Sequence, residues 1–447
     1  MANKKLFGTS GIRGKIGSEI TSELALKVGK ALATYLNYEG TVVIGFDTRT
    51  TNKMLEQALT AGLVEGGIDV IKLNMVPTLV GYATEKLGAD AGVMITASHN
   101  PSQYNGIKLW NANGMAYTPE QEKEIEDLYY SEEFGETRWD HIGSIVYNEE
   151  IKNQYINDLV NAVDIKPGFK VVIDCACGAG SEISPIAFRK AGCNVITLNS
   201  QVDGFFPGRN PEPNDANLGS LKKAVVATES DLGIAHDGDA DRMITVDETG
   251  KVSDFDKLLA LVSKGFGGTV VTTVDAGICM DEAMAEVGGK VVRTPVGDVS
   301  VAKSIIEEDA KFGGEPSGTW LHPDFCMCPD GLLSGLRIAE LVSNEGKLSE
   351  LLSQFNDYPH KRDKVTCSKE SKVKVMENME DLLKEAFDDI ENINTIDGVR
   401  ITFDDGSWVL VRPSGTEDYV RITLEAKTEK RAEFINKTCK EIIEANI

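Results

Sequence analysis

The clearest candidate for chemistry is a loop that carries three carboxylates at alternate positions. Asp237, Asp239 and Asp241 are separated by small residues, and they follow an apolar run that predicts a strand over residues 231–236. If the loop is extended, this alternation places all three side chains on one side. Clustered carboxylates repel one another unless a cation lies between them, and hard oxygen ligands suit magnesium or calcium. The loop therefore indicates a divalent-metal site.

Two other interpretations of this loop deserve comparison. An EF-hand would use the same carboxylates, because Glu248 occupies the twelfth position. The sixth position of such a loop needs glycine but is Arg242, and residues 243–247 read as a strand instead of a helix. These features argue against an EF-hand and leave a solvated acidic turn as the other alternative.

A second loop contains a serine that could act as a nucleophile. Ser98 and His99 follow the apolar run of residues 92–95, within the segment 96–101. Adjacent side chains of an extended segment point to opposite faces, so we expect His99 to be poorly placed as a base for Ser98. The G-x-S-x-G nucleophile elbow is also missing. By itself, the segment is more typical of a turn capped by serine and asparagine.

Two further loops could bind the polar parts of a substrate. The glycine-rich segment 313–318 contains Glu315 and Ser317, which could hydrogen-bond sugar hydroxyls, although alone it is typical of a turn. The segment 412–417 is followed by Arg421 on the next predicted strand. Two guanidinium groups beside a Ser-Gly-Thr turn offer charge-assisted donors for a phosphate. A surface turn with salt-bridged arginines is an equal alternative.

The composition limits the partners. The chain has 447 residues and a formal net charge of −24, which repels nucleic acid and anionic lipid. A phosphorylated substrate would be repelled too, so basic residues inside glycine-rich loops are informative. We find no apolar run that predicts a membrane span and no signal peptide in residues 1–11. These features, with eight cysteines that do not suggest a disulfide scaffold, predict a cytoplasmic protein with reduced thiols.

The cysteines offer one alternative metal site. Cys175 and Cys177 form one C-x-C pair, and Cys326 and Cys328 form another that lies close to His322. Zinc sites usually have C-x-x-C spacing, which neither pair has. Buried thiols are therefore the simpler interpretation.

Strands alternating with helices must position these loops. Residues 41–47, 170–174 and 269–275 are apolar, β-branched runs that end in aspartate, as is typical of strands buried on both faces. Helical periodicity surrounds them, for example over residues 21–38, where Thr21 or Ser22 can serve as N-cap. Residues 181–191, 297–307 and 331–342 also read as helices. The repeated pattern predicts three similar α/β units.

The last part of the chain has a different pattern. Residues 399–403, 407–412 and 419–426 read as antiparallel strands, and residues 429–445 as a long amphipathic helix, which together predict a small α+β domain. Residues 132–150 and 201–217 read as loops. Because 447 residues exceed one ordinary core, we expect three or four domains. A division into four gives residues 1–148, 149–250, 251–361 and 362–447.

In this order, the four loops resemble those of the α-D-phosphohexomutase superfamily over essentially the whole chain. The resemblance matches residues 96–101 to the phosphoserine loop, 237–242 to the metal loop, 314–318 to the sugar-binding loop and 412–417 to the phosphate-binding loop. Supporting matches are residues 8–14, 47–49 and 105–108. The resemblance implies an α/β fold with three similar mixed α/β domains and a C-terminal α+β domain, arranged around a central active-site cleft.

The resemblance also implies roles for individual residues. Ser98 would be the phosphoserine and, with Asp237, Asp239 and Asp241, a ligand of Mg²⁺. Catalytic roles would also fall to Lys108 as the acid/base, whose pKa we expect magnesium and neighbouring arginines to lower, and to Arg13, Arg242 and His99. The implied substrate-binding residues are Thr294, Glu315, Ser317, Arg412, Ser414, Gly415, Thr416 and Arg421. The implied second cofactor is a hexose 1,6-bisphosphate, as activator and intermediate.

Within the superfamily, residues 293–298 and 315–323 are most similar to archaeal-type phosphoglucosamine mutases. This implies an isomerase that interconverts glucosamine 6-phosphate and glucosamine 1-phosphate, with phosphomannomutase or phosphoglucomutase activity as the alternative. Many relatives have histidine where this chain has Thr319, so any role of that histidine is absent unless His322 replaces it.

A hypothesis from another class is a non-catalytic phosphosugar-binding or metal-binding module. The presence together of Ser98, Lys108 and the three aspartates argues against it, because a binding module would not need all five. We expect a small-molecule phosphosugar as partner, neither nucleic acid nor membrane, and a monomer or homodimer.

Overall fold

The computed structural model describes residues 5–8, 10–414 and 418–447. The chain forms two compact units. The first contains the described residues up to Phe255, together with Gly297–Ala302 and Ser317–Leu352. The second contains Asp256–Val296, Lys303–Pro316 and the described residues from Ser353 onward. The predicted substrate-binding residues Gly415 and Thr416 lie outside the described residues.

The first sheet has the strand order β1-β5-β4-β2-β3-β6. Its strands are β1 (Ile12–Lys15), β2 (Thr41–Phe46), β3 (Asp69–Met75), β4 (Ala91–Ile95), β5 (Tyr104–Asn111) and β6 (Ile145–Tyr147). Its helices are α1 (Ser22–Tyr35), α2 (Asn52–Glu65), α3 (Val80–Lys86) and α4 (Pro119–Ser131). The β2 strand pairs in parallel with β3 and β4, whereas β5 is antiparallel to β4. As predicted, Thr21 caps α1, because its side chain accepts a hydrogen bond from the Leu24 N–H.

The prediction of a loop over residues 132–150 is partly wrong. This segment contains a short 3₁₀ helix (Trp139–His141) and β6, which pairs in parallel with β3 at the edge of the sheet. All three side chains of β6 are exposed, so the strand has no alternation of buried and exposed residues that could be read from sequence.

The second sheet repeats the pattern with the order β10-β9-β7-β8. Its strands are β7 (Lys170–Asp174), β8 (Asn194–Leu198), β9 (Leu232–His236) and β10 (Met243–Val246). The helices of this segment are α5 (Glu150–Asn161), α6 (Ser184–Lys190) and α7 (Gly219–Ala227). Helix α6 begins three residues later than predicted, because a 3₁₀ turn (Ala179–Ser181) precedes it.

The third segment contains helices α8 (Phe255–Phe266), α9 (Ile278–Glu286) and α10 (Asp298–Glu308), and strands β11 (Thr269–Thr273), β12 (Lys290–Thr294) and β13 (Phe312–Gly314). The β11 strand lies between two parallel neighbours, β12 and β13. The same placement holds for β2 and β7, so the three predicted repeats share one topology. Strands β14 (Trp320–His322) and β15 (Cys326–Pro329) form an antiparallel pair, followed by α11 (Gly331–Glu345) and α12 (Leu348–Leu352).

The last sheet is antiparallel throughout, with the order β16-β20-β19-β18-β17. Its strands are β16 (His360–Thr366), β17 (Ile390–Asn394), β18 (Val399–Phe403), β19 (Trp408–Pro413) and β20 (Tyr419–Glu425). Its helices are α13 (Lys369–Glu377), α14 (Met379–Ala386) and α15 (Glu429–Ala445). The predicted α+β character and the bounds of α15 are confirmed. No helix among the described residues combines the length and apolar character that a membrane crossing requires.

Helices α1 and α2 approach so closely that a glycine is required where they meet. A Cβ atom at Gly62 would lie 2.3 Å from the Leu26 carbonyl oxygen. We expect Gly62→Ala to destabilise the protein by about 1–2 kcal/mol, because overpacking outweighs the better helix propensity of alanine. The control is Gly265→Ala in α8, where a Cβ meets nothing within 4 Å, and it should stabilise by about 0.5–1 kcal/mol. Urea denaturation compares the two, and equal free energies of unfolding would contradict this account of the packing.

Candidate active site

Ser98 lies three residues beyond β4 and is buried. Its φ angle of 47° falls in the left-handed region that favours glycine. The Ser98 N–H donates a hydrogen bond to Thr96 Oγ1 at 2.8 Å, and Ser98 Oγ donates to Asp237 Oδ2 at 2.7 Å. The turn therefore directs the hydroxyl group of Ser98 toward the carboxylate loop.

The same turn brings His99 beside Ser98. The His99 Nδ1 atom lies 3.2 Å from Ser98 Oγ, so the expectation that these side chains point apart is wrong. It assumed an extended backbone, which the left-handed Ser98 does not have. Burial, followed by the positive charges of Arg242 and Arg13, lowers the pKa of His99 to about 3. On its other side, His99 Nε2 lies 3.5 Å from Glu212 Oε2.

The carboxylates of Asp237, Asp239 and Asp241 converge as expected, with one oxygen from each lying within 4.8 Å of the others. Strand alternation is the wrong reason, however, because Ala240 has a φ angle of 59° and the loop turns instead of extending. The loop is fixed by its backbone, since the Thr78 N–H donates to the Asp239 carbonyl at 3.0 Å.

The electrostatics of this cluster fit a divalent cation. Burial, and then the charges of Asp241 and Asp239, raise the pKa of Asp237 well above its usual range. Burial, followed by the charge of Asp241, raises the pKa of Asp239 to about 6. For Asp241, burial favours a higher pKa, but the charges of Lys108 and Arg242 outweigh it and the pKa is lowered. Asp239 Oδ1 and Asp241 Oδ1 are buried without a hydrogen-bond partner, as expected of oxygens that coordinate a metal.

Lys108 extends from β5 into the same cluster. Its Nζ atom lies 3.3 Å from Asp241 Oδ2 and 3.7 Å from Asp298 Oδ2. Burial favours a lower pKa for Lys108, but the charges of Asp298 and Asp241 outweigh it, so the pKa is raised. Among the protein's own groups, the expectation of a lowered pKa is therefore wrong. Sequence patterns did not indicate Asp298, which reaches Lys108 from the first residue of α10.

The two predicted catalytic arginines border the cluster. Arg13 lies in β1, opposite Gly106 of β5, and its charge acts on the pKa of both Asp241 and His99. Arg242 follows the carboxylate loop directly, and its Nη1 atom lies 3.7 Å from Glu212 Oε1. Glu212 was not predicted either, because it lies in the loop of residues 201–217, where nothing in the sequence distinguishes it.

The residues after the predicted sugar loop have defined partners. Ser317 Oγ donates to Thr319 Oγ1 at 3.2 Å. His322 is buried, with Nε2 2.9 Å from Ser334 Oγ and Nδ1 2.9 Å from Arg337 Nη1. Both ring nitrogens of His322 are thus engaged within the fold, which argues against its replacing the histidine that is absent at Thr319.

Neither cysteine pair belongs to a group of three or more converging metal-ligating side chains among the described residues. All eight cysteines lie in the described part of the chain, all are buried, and none forms a disulfide bond. Among the described residues, the side chains that converge in a group of three or more and could hold a metal ion are those of the aspartate cluster. The simpler interpretation, buried thiols, is confirmed.

The remaining predicted substrate-binding residues lie in the second unit. Arg412 of β19 and Arg421 of β20 are directly opposite each other, so their side chains share one face of the sheet. Arg412 Nε donates to Asp397 Oδ1 at 2.7 Å, and the Ser414 N–H donates to the Tyr419 carbonyl at 3.0 Å. Elsewhere in this unit, Glu315 is buried beyond β13, and Thr294 ends β12.

Comparison with known proteins identifies the family. Models of phosphoglucomutase/phosphomannomutase alpha/beta/alpha domains I, II and III match residues 4–136, 147–250 and 254–358, and the C-terminal domain model matches residues 364–441. The chain belongs to the phosphoglucomutase/phosphomannomutase family. Its fold is accordingly mixed α/β over four domains, as predicted.

Similar proteins cover the chain from end to end. A probable phosphoglucosamine mutase from Methanobrevibacter smithii is 71% identical over 100% of both chains. Another from Methanothermobacter thermautotrophicus is 58% identical over 98% of both. A solved phosphoglucomutase/phosphomannomutase family protein from Burkholderia thailandensis has a TM-score of 0.89 at 26% identity, covering 100% of this chain and 98% of that one. Family membership thus rests on the whole chain.

The raised pKa of Asp239 predicts how this family member responds to pH and metal. An ordinary aspartate has a pKa of about 3.9, so in chelator the fold favours the protonated side chain. That stabilisation is present below about pH 4 and is lost as pH rises through about 6. Asp239→Asn keeps a neutral side chain, so its melting temperature in chelator should rise relative to wild type between pH 5 and pH 7.5.

Added Mg²⁺ should reverse this difference at pH 7.5, because only the wild type keeps the full set of ligands. Thermal denaturation with and without chelator measures both effects. The control is Asp215→Asn at an exposed position, which should show neither effect. If neither chelator nor Mg²⁺ changes the melting temperature of the wild-type protein, the metal site is ruled out.

Proposed function

We propose that this chain is a magnesium-dependent phosphoglucosamine mutase, an isomerase that carries its phosphoryl group on Ser98. The observation that carries the proposal is the 2.7 Å hydrogen bond from Ser98 Oγ to Asp237 within a buried carboxylate cluster. It occurs in a chain that is 71% identical over its whole length to a probable phosphoglucosamine mutase.

In the proposed reaction, the phosphoryl group leaves Ser98 Oγ for the C1 hydroxyl of glucosamine 6-phosphate. The P–Oγ bond breaks, a new P–O bond forms, the sugar hydroxyl loses its proton and Ser98 Oγ regains one. The resulting glucosamine 1,6-bisphosphate reorients in the site. Its 6-phosphoryl group then passes to Ser98 Oγ, and glucosamine 1-phosphate is released. The burial of Ser98 supports this scheme, because a phosphoserine shielded from water resists hydrolysis.

The metal of this proposal is Mg²⁺, held by Asp237, Asp239, Asp241 and an oxygen of the group on Ser98. When bound, it would supply positive charge that offsets the negative charge of the transferring phosphoryl group. The support is chemical: the donors are hard carboxylate oxygens, and two of them have no hydrogen-bond partner in the protein.

The charged side chains around Ser98 have separate proposed tasks. Lys108, with its raised pKa, is protonated near neutrality and is proposed to donate and recover the proton as the acid/base. Arg13 and Arg242 are proposed to stabilise charge on the transferring group. His99, neutral because of its low pKa, is proposed to orient the Ser98 hydroxyl through its 3.2 Å contact.

A further set of residues, all but Ser317 in the second unit, is proposed to bind the sugar phosphate. The opposed side chains of Arg412 and Arg421 offer fork-shaped donors to the phosphate that is not reacting, together with Ser414 and with Gly415 and Thr416. Glu315, Ser317 and Thr294 are proposed to contact sugar hydroxyls. In a chain of net charge −24, such locally concentrated arginines are the feature an anionic substrate needs. A hexose 1,6-bisphosphate is the proposed activator.

We also propose a cytoplasmic location, for which the eight buried cysteines outside disulfide bonds are the support. The four-domain division at residues 148, 250 and 361 stays a proposal, supported by breaks between the family models near these positions. Whether the protein is a monomer or a homodimer stays a prediction.

Phosphorylation of Ser98 tests the covalent carrier. Intact-mass measurement of protein treated with glucosamine 1,6-bisphosphate should show an added phosphoryl group, and fragmentation should place it on Ser98. Ser98→Ala should be unmodified and inactive, while the control Ser102→Ala in the same loop should behave as wild type. An active Ser98→Ala variant would exclude the mechanism.

A comparison of sugars tests the substrate. Glucosamine and glucose phosphates differ only at C2, and mannose inverts C2, so discrimination must come from contacts to that position. A charge-assisted contact to the amine contributes roughly 1.5–3 kcal/mol, which corresponds to about ten- to a hundredfold in kcat/KM. We expect that preference for glucosamine phosphate, with each substrate assayed beside its own bisphosphate. A preference of tenfold or more for glucose or mannose phosphate would transfer the assignment to a phosphoglucomutase or phosphomannomutase.

A further inference from the structure

We propose that Arg49 is a positioning residue for phosphoryl transfer. It holds residues 98–104, here called the serine loop, in the conformation that directs Ser98 Oγ at Asp237. The inference rests on the proposed function of Ser98 as the phosphoryl carrier. Arg49 itself touches none of the reacting groups, so its effect would pass through the backbone of the serine loop.

The hydrogen bonds of Arg49 carry this inference. Nη1 donates to the carbonyl oxygens of Pro101 and Tyr104 at 2.8 and 3.0 Å. Nη2 donates to those of Ser98 and Asn100 at 2.9 and 2.6 Å. Nε donates to Asp47 Oδ2 at 3.0 Å. A guanidinium group has five N–H donors, and all five are used within the protein. With 2% of its surface exposed, Arg49 has no donor left for a substrate phosphate.

Asp47 fixes the position of this guanidinium group. Its Oδ1 atom accepts from the Arg49 N–H at 2.8 Å and from Asn52 Nδ2 at 2.7 Å. Its Oδ2 atom also lies 2.8 Å from Thr96 Oγ1, which accepts the Ser98 N–H. Since Asp47 directly follows β2, the serine loop is tied to the centre of the first sheet at both its N–H and its carbonyl groups.

The serine loop needs such ties because its conformation is strained. A left-handed φ costs a residue other than glycine roughly 1–2 kcal/mol, and Ser98 has φ 47°. The loop is also enclosed from outside. The Phe206 ring centre lies 5.1 Å from the Arg49 guanidinium carbon, and a Cβ at Gly238 would lie 2.5 Å from the Ser98 carbonyl oxygen. Without the carbonyl contacts of Arg49, Ser98 could relax to negative φ and turn Oγ away from Asp237.

A role in stability alone is the alternative to positioning. Arg49→Lys separates the two, because lysine keeps a positive charge beside Asp47 but cannot donate to four carbonyl oxygens in fork geometry. The matched control is Arg337→Lys, which removes another guanidinium group of the first unit. Arg337 donates to Asp324 at 2.6 Å and contacts His322, and these two residues lie in the turn after β14 and at the end of β14.

The experiment measures how fast dephosphorylated protein acquires a phosphoryl group on Ser98 from glucosamine 1,6-bisphosphate and Mg²⁺, by rapid quench and intact mass. For Arg49→Lys we expect a maximal rate lower by on the order of a hundredfold, with the half-saturating bisphosphate concentration changed less than about twofold. Amide hydrogen exchange, without bisphosphate or metal, should become faster over residues 98–104. Arg337→Lys should change neither the rate nor this exchange.

Each contrary result has a defined meaning. A wild-type rate in Arg49→Lys overturns the inference, and so does equal slowing in both lysine variants, because the effect would then be a general loss of packing. A wild-type protein that is never phosphorylated on Ser98 overturns the proposed function itself. If Arg49→Lys does not fold, Phe206→Leu loosens the same guanidinium group more mildly. An unchanged phosphorylation rate in that variant then overturns the inference.

Discussion

The concentration of negative charge at three buried carboxylates, which water cannot screen, constrains the rest of the site. Three buried carboxylates converge within 4.8 Å in a protein of net charge −24, and a phosphoryl group on Ser98 would add about 1.5–2 negative charges. Lys108, Arg13 and Arg242 offset part of this charge from three different elements. The remaining imbalance, visible in the raised pKa of Asp237, is what makes a divalent cation the natural complement of the site.

The folds of the first two domains explain how the opposing groups meet. Ser98 follows β4 and Asp237 follows β9, and these strands hold the same place beside the central strand of their sheets. Polar loops at the carboxyl ends of parallel strands are a general location for ligand sites. Lys108 arrives from the opposite direction, because β5 is antiparallel to β4 and returns along it. One repeated topology thus supplies both the Ser98 hydroxyl and the carboxylate of Asp237.

Sequence patterns predicted the elements better than the geometry of the loops between them. The central strands and α15 were predictable because their apolar spacing reflects burial on known faces. The contact between Ser98 and His99 was not predictable, because Ser98 adopts a left-handed backbone conformation that alternation rules exclude. Ala240 adopts the same conformation, so the shape of the carboxylate loop was not predictable either. The raised pKa of Lys108 depends on Asp298, which lies 190 positions away along the chain. Such pairings follow from tertiary structure and leave no local pattern.

Three arginines donate hydrogen bonds to backbone carbonyl groups near strand ends, and these contacts too leave no local sequence pattern. Backbone carbonyl groups at or just beyond the end of a buried strand need donors. Arg49, which follows β2, bonds carbonyls of the serine loop beyond β4. Arg209 bonds those of Asp174 and His236, the last residues of β7 and β9, and Arg400 bonds those of Val274 and Ala276, just beyond β11. The three arginines come from different places in the sequence, so no motif reveals the shared solution. In the first domain the carbonyls belong to the serine loop, and in the second His236 directly precedes Asp237. A requirement of the fold, to satisfy buried carbonyls, therefore also constrains where the Ser98 hydroxyl and the Asp237 carboxylate lie.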